Sequence, residues 1–466
     1  MTIRDFIDDH RGELLADLDG FLRIPGISGQ PEHDPDVTRS AQWLAAAFTR
    51  TGFPTAEVWE DAGLPAVFAE WPSADADAPT VLVYGHHDVQ PVDPLELWHA
   101  DPFDPTVDGD MLRARGASDD KGQLLFHLLA VRAHLAETGR DTPAVSLKFI
   151  IEGEEESGSP NIQQLLDGHR DRLGCDVIVI TDTGVLAPDQ PSTVTGMRGL
   201  IGGELHVHGP DIDLHSGTFG GAVRNPLTEL ARLLAKLHDE NGRVAVPGFY
   251  DDVVELSADD RAMMAKVPFD EPRFLRIARS RALWGEAGYT TPERIGTRPT
   301  AEINGIWGGY TGPGGKTIIP TDGYAKLSFR LVGAQQPKKI IDAVEAFVAA
   351  NTRDGVTATL NWEGDGVAPC TVPTGTPAYA ALARSLSAAF DGAEMLPVRE
   401  GGSGPEAAMQ TTLGAPMVFL GVGLPDDQIH APNEKVSLSM LYRGAEAAAY
   451  LWDELARVGR AGLAGG

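Results

Sequence analysis

The sequence predicts an α/β protein: a mixed, mostly parallel sheet flanked by helices, interrupted along the chain by a second, α+β domain. Three observations predict it. Four short apolar runs, 80–84 (TVLVY), 145–151 (VSLKFII), 177–181 (VIVIT) and 415–421 (APMVFLG), read as buried parallel strands. Helical patterns lie between some of them, notably at 122–135 (GQLLFHLLAVRAHL). The middle of the chain has a different period. In 324–332, Ala325, Leu327, Phe329 and Leu331 alternate with Lys326, Ser328 and Arg330, as on a half-exposed antiparallel strand.

Taken in order, the first 22 residues place Ile7, Leu14, Leu18, Phe21 and Leu22 at helical spacing and lack the apolar core of a signal peptide. Strands 80–84, 145–151 and 177–181 then build the first sheet. From about Met197 to about Ala368, runs at 200–209 (LIGGELHVHG) and 356–362 (VTATLNW) join the alternating strand, with helices at 225–240 and 337–351. A helix at 378–390 and the strand 415–421 return to the first sheet. The expected boundaries are 1–196 for the first part of one domain, 197–368 for the insert and 369–466 for the remainder. The stretch from about 250 to 300 is acidic and loop-rich, without a clear element.

Bulk properties narrow the function. A chain of 466 residues exceeds one ordinary core, so two domains are expected. The formal charge of −29 repels phosphate backbones and anionic lipid heads, which argues against nucleic-acid and membrane partners. Solubility by itself accounts for this acidity. The two cysteines, Cys175 and Cys370, form no CxxC pair and fit a reducing compartment. No run approaches the ~18 apolar residues of a membrane span. A soluble, cytoplasmic protein is expected.

Chemistry concentrates after the apolar runs. Strand 80–84 leads into His86, His87 and Asp88; strand 145–151 into Glu152, Glu154, Glu155 and Glu156; strand 177–181 into Asp182; and strand 415–421 into a loop holding His430. Asp119 and Asp120 precede a helix. Taken singly, these are a surface pair, a solvated face, a turn residue or a helix cap. Taken together, they put imidazoles and carboxylates beyond the carboxyl ends of the strands, where open α/β sheets bind ligands. Such ligands, without thiolates, suit Zn²⁺, Mn²⁺ or Co²⁺, and carboxylates can bridge two ions.

At these residues the chain resembles the di-metal peptidase family of carnosinase, cytosolic nonspecific dipeptidase, carboxypeptidase G and aminoacylase. The ordered set YGHHDVQP, RGASDDKG, EGEEESGS, VITD, DLHSGTFGG, KTIIP, FRLV, GGSGP and HAPNEK covers nearly the whole chain and looks closest to the dipeptidase branch. The resemblance implies His86, Asp119, Glu156, Asp182 and His430 as metal ligands, with Asp119 bridging and followed by a cis peptide. It implies two divalent ions, zinc first, with manganese or cobalt also compatible. Glu155 matches the general base and Asp88 the carboxylate that orients His86. His87 fills a variable position. The insert matches a lid and dimerisation domain, so a homodimer is implied. His215 in DLHSG matches a histidine that reaches the partner's site and stabilises an oxyanion. Arg330 matches a residue holding the carboxylate of a small peptide substrate, and Asn304, Thr317 and Ser403 match further substrate contacts. Gly404 departs from the pattern, standing where a branched apolar residue is common. The implied reaction is dipeptide hydrolysis. The alternatives are an N-acyl amino acid deacylase or desuccinylase on the same scaffold, or a non-catalytic binding homologue. A nucleotide-binding α/β protein is disfavoured, because neither GxxxxGK[ST] nor a GxGxxG after the first strand occurs.

Overall fold

The four apolar runs form adjacent parallel strands of one sheet, the last of them at its edge. The computed structural model describes residues 1–464. The chain divides into two compact units: residues 1–195, 372–398 and 404 onward make the first, and residues 196–371 with 399–403 the second.

In the first unit the sheet order is Thr55–Trp59, Ala66–Trp71, Ser146–Glu152, Thr80–His86, Val177–Ile180 and Met417–Phe419. The last four strands are mutually parallel, and the first two are an antiparallel edge. Val81, Leu82, Val83 and Tyr84 are all buried, because helices cover both faces of a parallel sheet and leave no polar side. Lys121–Thr138 is buried nearly all round and packs on the long C-terminal helix Leu438–Leu463. It stops at Gly139, whose φ of 64° is a left-handed conformation that costs glycine little.

The amino-terminal amphipathic stretch is two helices, Ile3–Asp9 and Arg11–Leu22, with the break at His10. The His10 ring stacks on Phe6, and its Nδ1 lies 2.7 Å from the Phe6 carbonyl. Ile7, Leu14, Leu18, Phe21 and Leu22 are buried as the periodicity requires.

The second unit is a four-stranded antiparallel sheet in the order Thr300–Gly308, Asp322–Leu331, Gly199–His208 and Thr357–Trp362. Strand Gly199–His208 alternates buried and half-exposed at every residue. Its buried face carries Ile201, Leu205 and Val207, packed with Leu230, Leu233, Val344 and Phe347 of helices Pro226–Leu234 and Pro337–Asn351. The first of these helices is shorter than its sequence pattern. The Asp239 carboxylate accepts the N–H groups of Asn241 (2.8 Å) and Arg243 (3.0 Å), turning the chain instead. The acidic stretch holds three short helices, Ala258–Met264, Glu271–Ala278 and Thr291–Thr297, each capped at its N-terminus by Ser257, Asp270 or Thr290.

Candidate metal centre

Strand Thr80–His86 ends on His86, which is fully buried. Its Nε2 lies 3.0 Å from Asp119 Oδ1 and 3.7 Å from Asp182 Oδ2. The other oxygen of Asp119, Oδ2, lies 2.9 Å from His430 Nε2, and the same nitrogen is 3.1 Å from Glu156 Oε2. Asp119 therefore faces two histidine–carboxylate pairs, one with each oxygen. Donor atoms of His86, Asp119 and Glu156 lie within 4.8 Å of one another, as do those of His86, Glu155 and Asp182. Residues separated by more than 300 positions thus gather at one end of the sheet, all within the first unit.

The local sequence explains each placement. Asp88 is buried, and its backbone carbonyl lies 3.1 Å from His86 Nδ1. Its carboxylate accepts the N–H groups of Glu155 (3.3 Å) and Glu156 (3.0 Å), tying the first strand's loop to the turn Glu155–Ser157. The Asp119–Asp120 peptide is cis. Buried Glu434 holds this loop by accepting the N–H groups of Gly116, Ser118 and Asp119 at 3.0–3.1 Å, while Arg115 donates to it at 2.8 Å. Gln90 donates to Glu156 Oε2 at 2.7 Å. His87 faces away: its Nε2 lies 2.8 Å from the Pro65 carbonyl, and burial lowers it to about 4. His430 adopts a left-handed φ of 58°, uncommon for a non-glycine residue.

The electrostatics call for positive charge. Burial, then the charges of Asp119 and Glu156, push Asp182 well above the ordinary carboxylate range. Asp120 is raised in the same way by burial and by Asp182. Glu155 reaches about 9, mainly through burial, with Asp182 and Glu156 adding to the shift and His86 opposing it. Burial pulls His86 down, but its contacts with Asp119 and Asp88 outweigh this and hold it well above its ordinary value. His430 rises to about 10, first through Asp119 and then Glu156. Crowded carboxylates with two imidazoles and no thiolate fit divalent cations.

The remaining predicted residues belong to the second unit. Arg330 Nη1 donates to Ser403 Oγ at 2.8 Å, and Ser403 Oγ donates to the Arg198 carbonyl at 2.5 Å. Arg330 is lowered by burial. His215 is exposed and pairs with Ile318, next to Thr317, whose carbonyl accepts the Ser216 N–H at 3.0 Å. Asn304 is exposed at the irregularity where strand Thr300–Gly308 slips register against Asp322–Leu331.

A family model described as Peptidase family M20/M25/M40 matches residues 82–454. The chain belongs to this peptidase family. It is a metallopeptidase that requires divalent metal ions. It is 31% identical to the human Beta-Ala-His dipeptidase, over 97% of this chain and 92% of that one. It is 29% identical to a Cys-Gly metallodipeptidase of Schizosaccharomyces pombe, over 97% and 98%. Among solved structures, a metallo-carboxypeptidase of this family from Sulfolobus solfataricus superposes with a TM-score of 0.82 at 31% identity, covering 96% of this chain and 99% of that one. Among the described residues no helix is long and apolar enough to cross a membrane.

Sequence reasoning did not single out Gln90 or Glu434. Gln90 lies in the same short segment as His86 and Asp88, and Glu434 in the same segment as His430, so proximity to a histidine was the available signal.

Proposed function

We propose that this metallopeptidase hydrolyses the peptide bond of dipeptides, using two divalent cations, zinc first among them, as a cytoplasmic homodimer. The observation that carries this reading is the division of Asp119 between His86 and His430, with Glu155, Glu156 and Asp182 around it. His86, Asp119 and Asp182 would hold one ion, and Asp119, Glu156 and His430 the other. When bound, such ions polarise a carbonyl and make a coordinated water acidic near neutral pH.

The chain's own residues do the rest. Glu155, whose carboxylate stands within 4.8 Å of the ligand atoms of His86 and Asp182, takes a proton from the attacking water and returns it to the leaving amine. Asp88 orients His86 and, through the backbone of residues 155 and 156, the base itself. Arg330, braced by Ser403, receives the substrate carboxylate through its planar fork, with Asn304 and Thr317 as further contacts. His215, supplied by the second subunit, stabilises the oxyanion. The two relatives named for dipeptides support this substrate class. The chain has two cysteines and no CxxC pair, which supports a reducing compartment.

The test uses protein stripped by chelator and reloaded separately with Zn²⁺, Mn²⁺ or Co²⁺, assayed on dipeptides and on N-acetyl and N-succinyl amino acids. Dipeptide turnover is expected, with little from the acylated compounds. The reverse profile would replace this reading with a deacylase. Glu155→Gln should keep its metal content by elemental analysis and lose about 10²–10⁴-fold in kcat. Near-normal turnover would remove Glu155 as the base.

A further inference from the structure

The second unit carries another group of metal-type ligands, apart from those already described. His206 and His208 lie two residues apart on strand Gly199–His208, so both imidazoles project from its half-exposed face. Asp322 is directly opposite His208 across the neighbouring strand. Both rings turn a nitrogen toward one oxygen: His206 Nε2 is 2.6 Å and His208 Nδ1 2.9 Å from Asp322 Oδ1. One donor atom from each residue lies within 4.8 Å of the other two.

From this geometry we infer a third cation site, formed by His206, His208 and Asp322, that takes a late first-row divalent ion such as Zn²⁺, Ni²⁺ or Cu²⁺. Two imidazoles and one carboxylate match the preferences of those ions and not of Mg²⁺ or Ca²⁺. Ligand atoms about 2.0–2.2 Å from a shared ion stand roughly 3 Å apart. The two contacts to Asp322 are close to that spacing, as is the 3.0 Å approach of His86 to Asp119.

Surrounding groups hold the three ligands in place. Tyr324 stacks on His206 with ring centroids 4.5 Å apart, and Trp307 stacks on Tyr324 at 5.3 Å, which fixes the His206 ring plane. Thr321 hydrogen-bonds the Asp322 carboxylate, the leading cause of its fall to about 2, so Asp322 is ionised at any physiological pH. Such outer partners are what orient metal ligands. The side chains of His206, His208 and Asp322 are 28%, 40% and 28% exposed, and Asp322 borders a cleft of about 300 Å³. The ion would exchange freely and keep room for water or an external ligand. Asp211 stands 3.7 Å from His208 Nε2, the ring nitrogen not aimed at Asp322, and adds negative charge beside the site.

The experiment counts ions on the full-length protein. Chelator-stripped wild type, H206Q/H208Q, D322N and H169Q are equilibrated at the same free Zn²⁺, and bound zinc is measured by elemental analysis. Wild type should hold one ion per chain more than H206Q/H208Q and D322N. H169Q should match wild type, because the His169–Asp61 pair (3.0 Å) has no second imidazole. Dipeptide turnover with metal in excess should be unchanged in H206Q/H208Q, which also shows that this variant folds. In wild type alone, zinc should protect His206 and His208 from diethylpyrocarbonate, mapped by mass spectrometry. Equal zinc content in wild type and H206Q/H208Q overturns the inference. So does an equal loss in H169Q, or modification of His208 that zinc does not slow.

Discussion

Asp119 is the residue on which the candidate centre turns, because each of its oxygens meets a different histidine. Asp119, His86, Glu155, Glu156 and Asp182 were legible in the sequence because each lies just after a strand or before a helix, where an α/β sheet exposes ligands, whereas His430, eleven residues beyond its strand, was legible only through the resemblance. Glu434 was not legible. Its role is to accept three N–H groups of a loop more than 300 residues away, and its one local mark is its place four residues after His430. His127 is a residue whose environment sets a pH dependence. It is fully buried within Lys121–Thr138, with Nε2 2.9 Å from Thr181 Oγ1, and burial lowers it to about 3. An unfolded imidazole takes its proton near 6.5. Below that pH the unfolded chain binds more protons than the folded one, so stability falls as pH falls toward 3. The contribution approaches about 1.4 kcal/mol per pH unit. His127→Gln keeps a donor for Thr181 and removes the titration. Urea midpoints from pH 7.5 down to 4 should fall less steeply in this variant, and an identical decline would show that His127 is not the group responsible.

At the scale of elements, the centre depends on close approaches that only glycine permits. Gly122 is the second residue of the buried helix Lys121–Thr138, and a Cβ there would sit 2.0 Å from the Ala117 carbonyl oxygen. The obstacle is backbone, so Gly122→Ala must displace the loop that carries Asp119. A loss of about 1–3 kcal/mol is expected, together with weaker metal binding. Calorimetric melting and zinc titration measure the two effects, and an unshifted melting point would show that the loop yields at no cost. The parallel strands and the helices at 122–135, 337–351 and 378–390 were legible from their patterns, whereas Asp34–Thr51 and Leu438–Leu463 were not read. The antiparallel edge, Thr55–Trp59 with Ala66–Trp71, was not, since runs of five or six residues are too short for a strand period to stand out. The short helices between 258 and 297 escaped notice for the same reason. Their caps are local, but the helices are too short for an apolar stripe to show.

For the whole molecule, the proposed exchange of His215 between subunits has a direct test. E155Q lacks the base and H215A the oxyanion histidine, so each homodimer should be nearly inactive. Co-expressed at equal levels, half the dimers are mixed. In each of these, one site combines an intact Glu155 with an intact His215 from the other chain. About a quarter of wild-type activity should return. No recovery would place His215 in the same chain's site or remove it from the reaction. The sequence by itself determined the fold class, the family and the identity of the residues that gather at the sheet's end, because strand periods and ordered motifs are local properties of the chain. Tertiary structure alone decided that Glu434 and Gln90 brace the ligands, and that His206, His208 and Asp322 meet across two strands. Those facts depend on register and on contacts between distant segments, and sequence spacing carries no information about either.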